Sequence, residues 1–332
     1  MKRIAFVTGG SGFIGRALLR ALLEDDWQVR ALVHESSLPI DDSRVQVVRG
    51  DLFDKKALES SLDGCDGLFH LAAKVSFAPS KRQQLMTINR DGTSSLLECA
   101  MNAGVKKVVV VSSACTLGVH RTMAPVSEDV DCRDEWRRRN PYLDSKRAQE
   151  EVCFDFHQQG LPVTMVLPTT VFGPGDDALN SGVFFQQVCK AGFIPVPSGG
   201  TSVVDVEDVA RGILAGWARG GSGSRYVLTA ENLSFRQVYE TIRASCRGKA
   251  KLVSLPAFLK PLLISAVRVK SAVFKVLGRI EDQLTPQIIE DAFNFKSYSS
   301  EKAEKELLWH PQYSFAETVK RARAYYEETG LL

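Results

Sequence analysis

The fold is decided by the stretch Thr8-Gly9-Gly10-Ser11-Gly12-Phe13-Ile14-Gly15, which follows a short apolar strand over Ile4 to Val7. From Phe13 onward, apolar residues recur at helical spacing, so the turn opens a helix. A strand, a glycine turn and a helix N-terminus form a site for a dinucleotide pyrophosphate, because backbone N–H groups and the positive end of the helix dipole face the phosphates. Gly10, Gly12 and Gly15 satisfy the G-x-G-x-x-G fingerprint. Gly9 adds an overlapping spacing, Gly9-x-x-Gly12-x-x-Gly15.

Strand and helix patterns alternate after this turn. Further short apolar strands are predicted at Val29–Val33, Val45–Val48, Gly67–Ala72, Val105–Val111, Val163–Leu167 and Tyr226–Thr229. Amphipathic helices are predicted between them at Lys55–Leu62, Asn89–Asn102 and Tyr142–Gln159. The pattern predicts an α/β fold, a Rossmann-type doubly wound parallel sheet with the first strand at its centre.

The pattern loosens after Pro168, where breakers such as Gly173-Pro174-Gly175 interrupt it. We therefore expect a dinucleotide-binding Rossmann domain over residues 1–167. Residues 168–332 are expected to form mainly a smaller, interleaved substrate-binding lobe, with some segments returning to the Rossmann sheet.

Composition places the chain among ordinary globular proteins. Of its 332 residues 44% are hydrophobic and 24% are charged, and the net charge of +3 does not argue for nucleic acid. The seven cysteines and five histidines lack metal-ligand spacing, so no metal is predicted. The first strand starts almost at Met1 and no apolar run is long enough to span a bilayer, from which we expect a cytoplasmic protein.

A candidate catalytic set lies around Asn140-Pro141-Tyr142, which starts a helix with an N-cap and a proline at the first helical position. Tyr142 and Lys146 are four residues apart and therefore share one helix face. An ammonium near a phenol favours the phenolate, which predicts a lowered pKa for Tyr142 and proton exchange with a carbonyl or alcohol oxygen. Ser112 and Ser113 end a strand that points into the same cleft.

Together these residues resemble the extended short-chain dehydrogenase/reductases. Further motifs of that family are matched by Gly50-Asp51-Leu52, His70-Leu71-Ala72-Ala73, Asn89-Arg90-Asp91-Gly92-Thr93 and the segment from Leu167 to Gly175. The resemblance implies that Tyr142 is the general acid/base, that Lys146 tunes its pKa and binds ribose, and that Ser113 holds the substrate oxygen. Ser113 is preferred over Ser112 because the family's hydroxyl usually precedes a small residue.

The cofactor site implied by the resemblance includes the glycine turn and the strand ends beside it. In it, Asp51 contacts the adenine amino group and residues 71–73 pass beneath the ribose. The implied cofactor-binding residues are Gly9, Gly12, Phe13, Ile14, Gly15, His34, Asp51, Leu52, Leu71, Ala72, Ala73, Asn89, Tyr142, Lys146, Pro168 and Thr170.

Cofactor choice depends on the end of the second strand, where an acid would bind the ribose diol and repel a 2′-phosphate. Val33 stands where that acid is expected, and His34 stands where the NADP reductases often have Arg. The sequence therefore favours NADP(H) over NAD(H). Glu35 lies close enough to serve as the ribose acid, which keeps NAD(H) as the alternative.

Two later segments, Val203–Ala210 and Ser224–Leu228, are similar to the dihydroflavonol-reductase-like and 3β-hydroxysteroid-dehydrogenase-like branch. That resemblance implies an NAD(P)(H)-dependent oxidoreductase that reduces a ketone or aldehyde, or oxidises the alcohol. The alternatives are a sugar-nucleotide epimerase or dehydratase with a retained NAD, and a non-catalytic redox-sensing module. A homodimer is expected from the resemblance.

Two charged segments have more than one interpretation. Arg137-Arg138-Arg139 could receive an anionic substrate group, although a charge run in a loop is usually solvated. Phe258–Leu277 is a basic amphipathic helix that could lie on a membrane surface or line a lipophilic substrate pocket. Such a helix more often packs its apolar side on its own domain, so membrane contact is not expected.

Overall fold

The computed structural model describes residues 2–35, 37–129, 140–276 and 284–332, so Arg137–Arg139 lie outside the described residues. The strands are β1 Ile4–Thr8, β2 Gln28–Val33, β3 Val45–Arg49, β4 Gly67–His70, β5 Lys107–Val111, β6 Val163–Pro168, β7 Thr170–Phe172, β8 Phe193–Val196, β9 Gly200–Asp205, β10 Arg225–Leu228, β11 Glu231–Ser234, β12 Lys251–Ser254 and β13 Phe295–Lys296. The helices are α1 Phe13–Glu24, α2 Lys55–Leu62, α3 Arg82–Leu85, α4 Gly92–Asn102, α5 Pro141–Gln158, α6 Val183–Lys190, α7 Val206–Arg219, α8 Phe235–Cys246, α9 Lys260–Val276, α10 Pro286–Ala292, α11 Glu301–Leu307 and α12 Phe315–Glu328.

The main sheet has seven parallel strands in the order β10-β6-β5-β4-β1-β2-β3. Its strand order reverses between β1 and β4, so their carboxyl ends open a crevice at the switch point. The predicted doubly wound parallel sheet is confirmed. Apolar clusters pack on both faces of this sheet, as expected for strands that are buried on both sides.

A second lobe is built around β9, which pairs with β7, β11 and β13, while β8 pairs with β12. Its core lies among α6, α8 and α12. The chain crosses between the two parts, because β10 adds to the main sheet beside β6. The lobe therefore begins where the chain leaves the carboxyl end of β6 and enters β7.

No helix among the described residues is long and apolar enough to cross a bilayer. Within those same ranges, no group of three or more His, Cys, Asp or Glu side chains is arranged to hold a metal ion.

Candidate active site

The glycine turn between β1 and α1 requires residues without a Cβ. Gly9 has a φ of +73°, and a Cβ there would lie 2.6 Å from the Ala72 backbone nitrogen. A Cβ at Gly15 would lie 2.0 Å from the carbonyl oxygen of Gly9. Gly12 is the N-cap of α1 and provides no side-chain cap, which leaves the first N–H groups of the helix available. These features fit a dinucleotide pyrophosphate at the helix N-terminus.

Other predicted cofactor residues lie at the same carboxyl edge of the sheet. Leu71, Ala72 and Ala73 follow β4, directly beside the glycine turn. The Asp51 carboxylate accepts hydrogen bonds from the backbone N–H groups of Phe53 (2.7 Å) and Asp54 (3.0 Å) with one oxygen, Oδ1. One carboxylate oxygen therefore shapes the turn after β3.

The end of β2 bears on cofactor choice. Val33 is 3% exposed. The side chains of His34 and Glu35 are 66% and 89% exposed, respectively. The exposed groups nearest this end of the strand are therefore an imidazole and a carboxylate.

Asn89 has a supporting position. Its side chain is buried and bonds the backbone of Lys74 twice, accepting from the N–H (2.7 Å) and donating to the carbonyl (3.0 Å). It also donates to the Ser145 hydroxyl at 2.9 Å. Both ends of the amide are used inside the protein, so Asn89 holds the segment after β4 against the start of α5.

Tyr142 lies in the first turn of α5. The predicted cap is present: the Asn140 carboxamide accepts from the N–H groups of Tyr142 (3.1 Å) and Leu143 (3.3 Å), with Pro141 at the first helical position. The phenol ring packs edge-on against Phe77, with ring centroids 5.8 Å apart. Helix α5 therefore begins at the cleft and fixes the phenol there.

The two serines after β5 have different surroundings. Ser112 is buried and donates its hydroxyl proton to the Glu150 carboxylate. Ser113 lines the cleft with Tyr142, and its hydroxyl acts to lower the pKa of the phenol. Of the two, Ser113 is the hydroxyl that can reach a substrate.

The pKa of Tyr142 lies above its ordinary value because the ring is buried, although the hydrogen bond from Ser113 works in the opposite direction. The sequence predicts a lowered pKa, with the Lys146 ammonium as the cause. The structure differs because burial of the ring dominates, and that ammonium donates to the Val111 carbonyl (2.9 Å) and the Gln149 carboxamide (2.8 Å) instead of to the phenol. Tyr142 is therefore a protonated phenol at neutral pH.

Lys146 is 3% exposed, and burial lowers its pKa to about 8. A buried ammonium requires hydrogen-bond acceptors. Its two acceptors, the Val111 carbonyl and the Gln149 carboxamide, account for two of its three N–H groups. Gln149, three residues along α5, carries one of these bonds and was missed by the sequence analysis, although its spacing places it on the same helix face.

Gln149 belongs to a buried chain of hydrogen bonds that reaches the glycine turn. Its amide donates to the Thr93 hydroxyl at 2.9 Å, and Thr93 itself donates to the Asn89 carbonyl at 2.6 Å. His70 must therefore donate from Nε2 to Thr93 (2.8 Å) and accept at Nδ1 from Thr8 (2.7 Å). The Thr8 oxygen then accepts from the N–H of Ala72 at 3.2 Å.

These bonds fix the tautomer of His70. Burial and the nearby Lys146 ammonium lower the pKa of the imidazole to about 3, so it stays neutral. The hydrogen-bond chain therefore connects the glycine turn to Lys146. A carboxamide does not relay protons as a hydroxyl or imidazole does, so Gln149 positions Lys146 rather than passing a proton to it.

The cleft in front of Tyr142 has an apolar wall and a polar end. Phe77, Val119, Leu143 and Pro168 line its apolar part. The polar residues arrive from the second lobe and were not predicted: Thr201, Ser202, Gln287, Asp291 and Lys296. Thr170 also lines the cleft and hydrogen-bonds Thr201 at 2.7 Å.

A parallel sheet with a glycine turn at its switch point and a Ser-Tyr-Lys set in the adjoining cleft defines an NAD(P)-binding oxidoreductase of the Rossmann class. The model of the NAD dependent epimerase/dehydratase family matches residues 5–228. The chain belongs to this family, within the extended short-chain dehydrogenase/reductases.

Relatives in this family carry several activities. The chain is 32% identical over 98% of its length to a Synechocystis protein provisionally named dihydroflavonol 4-reductase, covering 95% of that protein. It is 26% identical to the decarboxylating sterol-4-alpha-carboxylate 3-dehydrogenase of Mus musculus, covering 95% of this chain and 88% of that one. The solved structure of DesIV, a dTDP-glucose 4,6-dehydratase from Streptomyces venezuelae with NAD and TYD bound, matches with a TM-score of 0.77 at 24% identity, over 98% of this chain and 97% of that chain.

Two glycine substitutions separate folding from cofactor binding. Gly15→Ala is expected to destabilise the chain, because its Cβ would overlap the Gly9 carbonyl. Gly12→Ala meets only that carbonyl at 3.3 Å, so the chain should fold but lose cofactor affinity by about tenfold or more. Thermal unfolding and cofactor titration check both. Unchanged affinity in the folded Gly12→Ala protein would contradict the pyrophosphate assignment.

Gln149→Met removes an acceptor from the Lys146 ammonium and should lower the pKa of Lys146 further. As pH rises through about 8, wild-type Lys146 loses its proton. Its two remaining N–H groups are held by Val111 and Gln149, so no N–H is left for a cofactor. Cofactor affinity and kcat/KM should therefore fall above that pH. The fall should begin at lower pH in Gln149→Met and at higher pH in Gln149→Glu, whose carboxylate favours the charged amine.

Gln158→Met, an exposed position on the same helix, is the matched control and should leave the pH profile unchanged. A Gln149→Met protein with a lower Tm but an unshifted profile would mean that Gln149 is only structural.

Proposed function

We propose that this chain is an NAD(P)(H)-dependent oxidoreductase that reduces a ketone or aldehyde, or oxidises the corresponding alcohol. The observation that carries the proposal is that Ser113 and Tyr142 share one cleft, with Lys146 one helical turn away and tied to the cofactor cradle. Reductase and dehydrogenase names among the relatives support it.

In the reducing direction, each residue has a defined role. A bound nicotinamide supplies the hydride to the carbonyl carbon. Tyr142 gives its phenolic proton to the carbonyl oxygen, while the Ser113 hydroxyl donates a hydrogen bond to the same oxygen. The Lys146 ammonium favours the phenolate that remains on Tyr142. A raised pKa keeps the phenol protonated beforehand, which suits a general acid.

The charges in the cleft favour a carbonyl compound over a sugar nucleotide. A nucleoside diphosphate carries two phosphate charges that proteins usually match with cations. Among the described residues that line the cleft, Lys296 is the one cation, and the Asp291 carboxylate lines the same end. The wall of Phe77, Val119 and Leu143 fits a largely apolar substrate.

Tyr142→Phe tests the catalytic assignment. It should abolish turnover in a panel of ketones and aldehydes, read by nicotinamide absorbance, while cofactor affinity stays within about twofold of wild type. Ser113→Ala should lower kcat by roughly a hundredfold because it removes one donor to the oxygen. Full activity of Tyr142→Phe would show that another group transfers the proton.

Nucleotide released from freshly purified, denatured protein distinguishes the two enzyme classes. An exchanging reductase should release little nucleotide and accept added NAD(P)H. Stoichiometric NAD in the released fraction, together with inactivity on the carbonyl panel, would favour the epimerase or dehydratase alternative.

We infer a preference for NADP(H) from the missing acid at the end of β2 and from the exposed His34. His34→Asp should weaken NADPH binding by about tenfold and spare NADH, because a carboxylate repels a 2′-phosphate. Glu35→Gln is the matched test of the alternative. If that variant loses NADH affinity while wild type prefers NADH, Glu35 is the ribose acid and the inferred preference is wrong.

A further inference from the structure

Helix α9 exposes an apolar stripe. Leu262, Ala266 and Val269 follow each other at spacings of four and three, and therefore share one helix face. Leu262 and Val269 are each 65% exposed, and Phe258, in the turn just before the helix, is 78% exposed. On the opposite face Val267 is 8% exposed, so the helix packs on the lobe through that side. The stripe is an outward face.

The same part of the chain concentrates positive charge. Between Glu240 and Glu281 the sequence has nine Lys or Arg and no Asp or Glu, while the rest of the chain has 33 Lys or Arg against 39 Asp or Glu. This segment therefore carries +9 within a protein of net charge +3. Arg268 is exposed on α9 next to Val269 in sequence, and Lys251 is exposed on β12, which precedes the helix.

We propose that the exposed stripe of Phe258, Leu262, Ala266 and Val269, together with the exposed cations Arg268 and Lys251 of the same basic segment, termed here the α9 face, docks on an anionic lipid bilayer. Apolar side chains that project from a helix with cations beside them suit the boundary between headgroups and acyl chains. Anionic headgroups attract neighbouring Lys and Arg side chains. The apolar side chains of the α9 face therefore match the acyl chains of the lipid interface, and its cations match the anionic headgroups.

Charge and apolar exposure disfavour other partners. A second copy related by two-fold symmetry would bring two such positive segments together, and like charges would repel. A nucleic-acid backbone would match the cations but would leave Phe258, Leu262 and Val269 in water, since phosphate contacts make no use of apolar side chains.

The α9 face is connected to the substrate cleft. Helix α9 packs against α10, which contributes Gln287 and Asp291 to the polar end of the cleft. A bilayer against α9 would therefore lie next to the helix that lines the site. That placement suits uptake of a lipophilic substrate from the membrane.

Vesicle flotation of the full-length protein tests the proposal. Wild type should float with phosphatidylcholine vesicles that contain about 30% phosphatidylglycerol, and not with phosphatidylcholine alone. Raising salt from about 0.1 M to about 0.5 M should release it, because the charges are screened. Leu262→Ser with Val269→Ser, and separately Lys251→Glu with Arg268→Glu, should each weaken binding by about tenfold or more.

Matched controls make the same substitutions elsewhere. Val47→Ser with Leu308→Ser changes exposed residues away from α9, and Lys2→Glu with Arg219→Glu makes the same change in net charge on exposed residues of the main-sheet domain. Both controls should float as wild type does, and circular dichroism should show all variants folded. Equal loss in test and control pairs would overturn the proposal. It would also be overturned by failure of wild type to float, whether it then binds duplex DNA or self-associates instead.

Discussion

The buried ammonium of Lys146 is the constraint on which the site depends. A cation that is 3% exposed has lost most of its hydration, and it can remain charged only where acceptors replace water. Val111 supplies one acceptor from the end of β5, and Gln149 supplies the other from the next turn of α5. The Lys146 ammonium therefore holds β5 of the main sheet and helix α5 together.

The second constraint is the close approach of two backbone segments at the switch point. Gly9 and Ala72 come too near for a side chain on Gly9, and the Thr8 hydroxyl bonds the Ala72 N–H in the same place. His70 hydrogen-bonds the Thr93 hydroxyl, and that hydroxyl also accepts from the Gln149 amide. Because each donor in this hydrogen-bond chain has one acceptor, the donors and acceptors have a single arrangement, which fixes the glycine turn relative to Lys146.

The sequence predicts the main sheet well because its strands are buried on both faces and appear as short apolar runs between amphipathic helices. It does not predict β7, β8, β9, β11, β12 and β13 because these strands are short. In β8, Pro195 also interrupts the apolar residues that would indicate a strand. Tyr142, Lys146 and Ser113 are identifiable because their spacing has a chemical reason. Lys296 and Asp291 are not, because only the folding of the second lobe brings them from a distant part of the chain to the cleft.

Burial moves the pKa values of Tyr142 and Lys146 towards each other, since it raises that of Tyr142 and lowers that of Lys146 to about 8. Desolvation penalises whichever form is charged, so a neutral phenol and a weakened ammonium are the expected result in a cleft closed by Phe77 and Leu143. Of the neighbouring groups, Ser113 acts in the opposite direction and lowers the pKa of Tyr142. An apolar cleft thus keeps the phenol of Tyr142 protonated, as its proposed role of general acid requires.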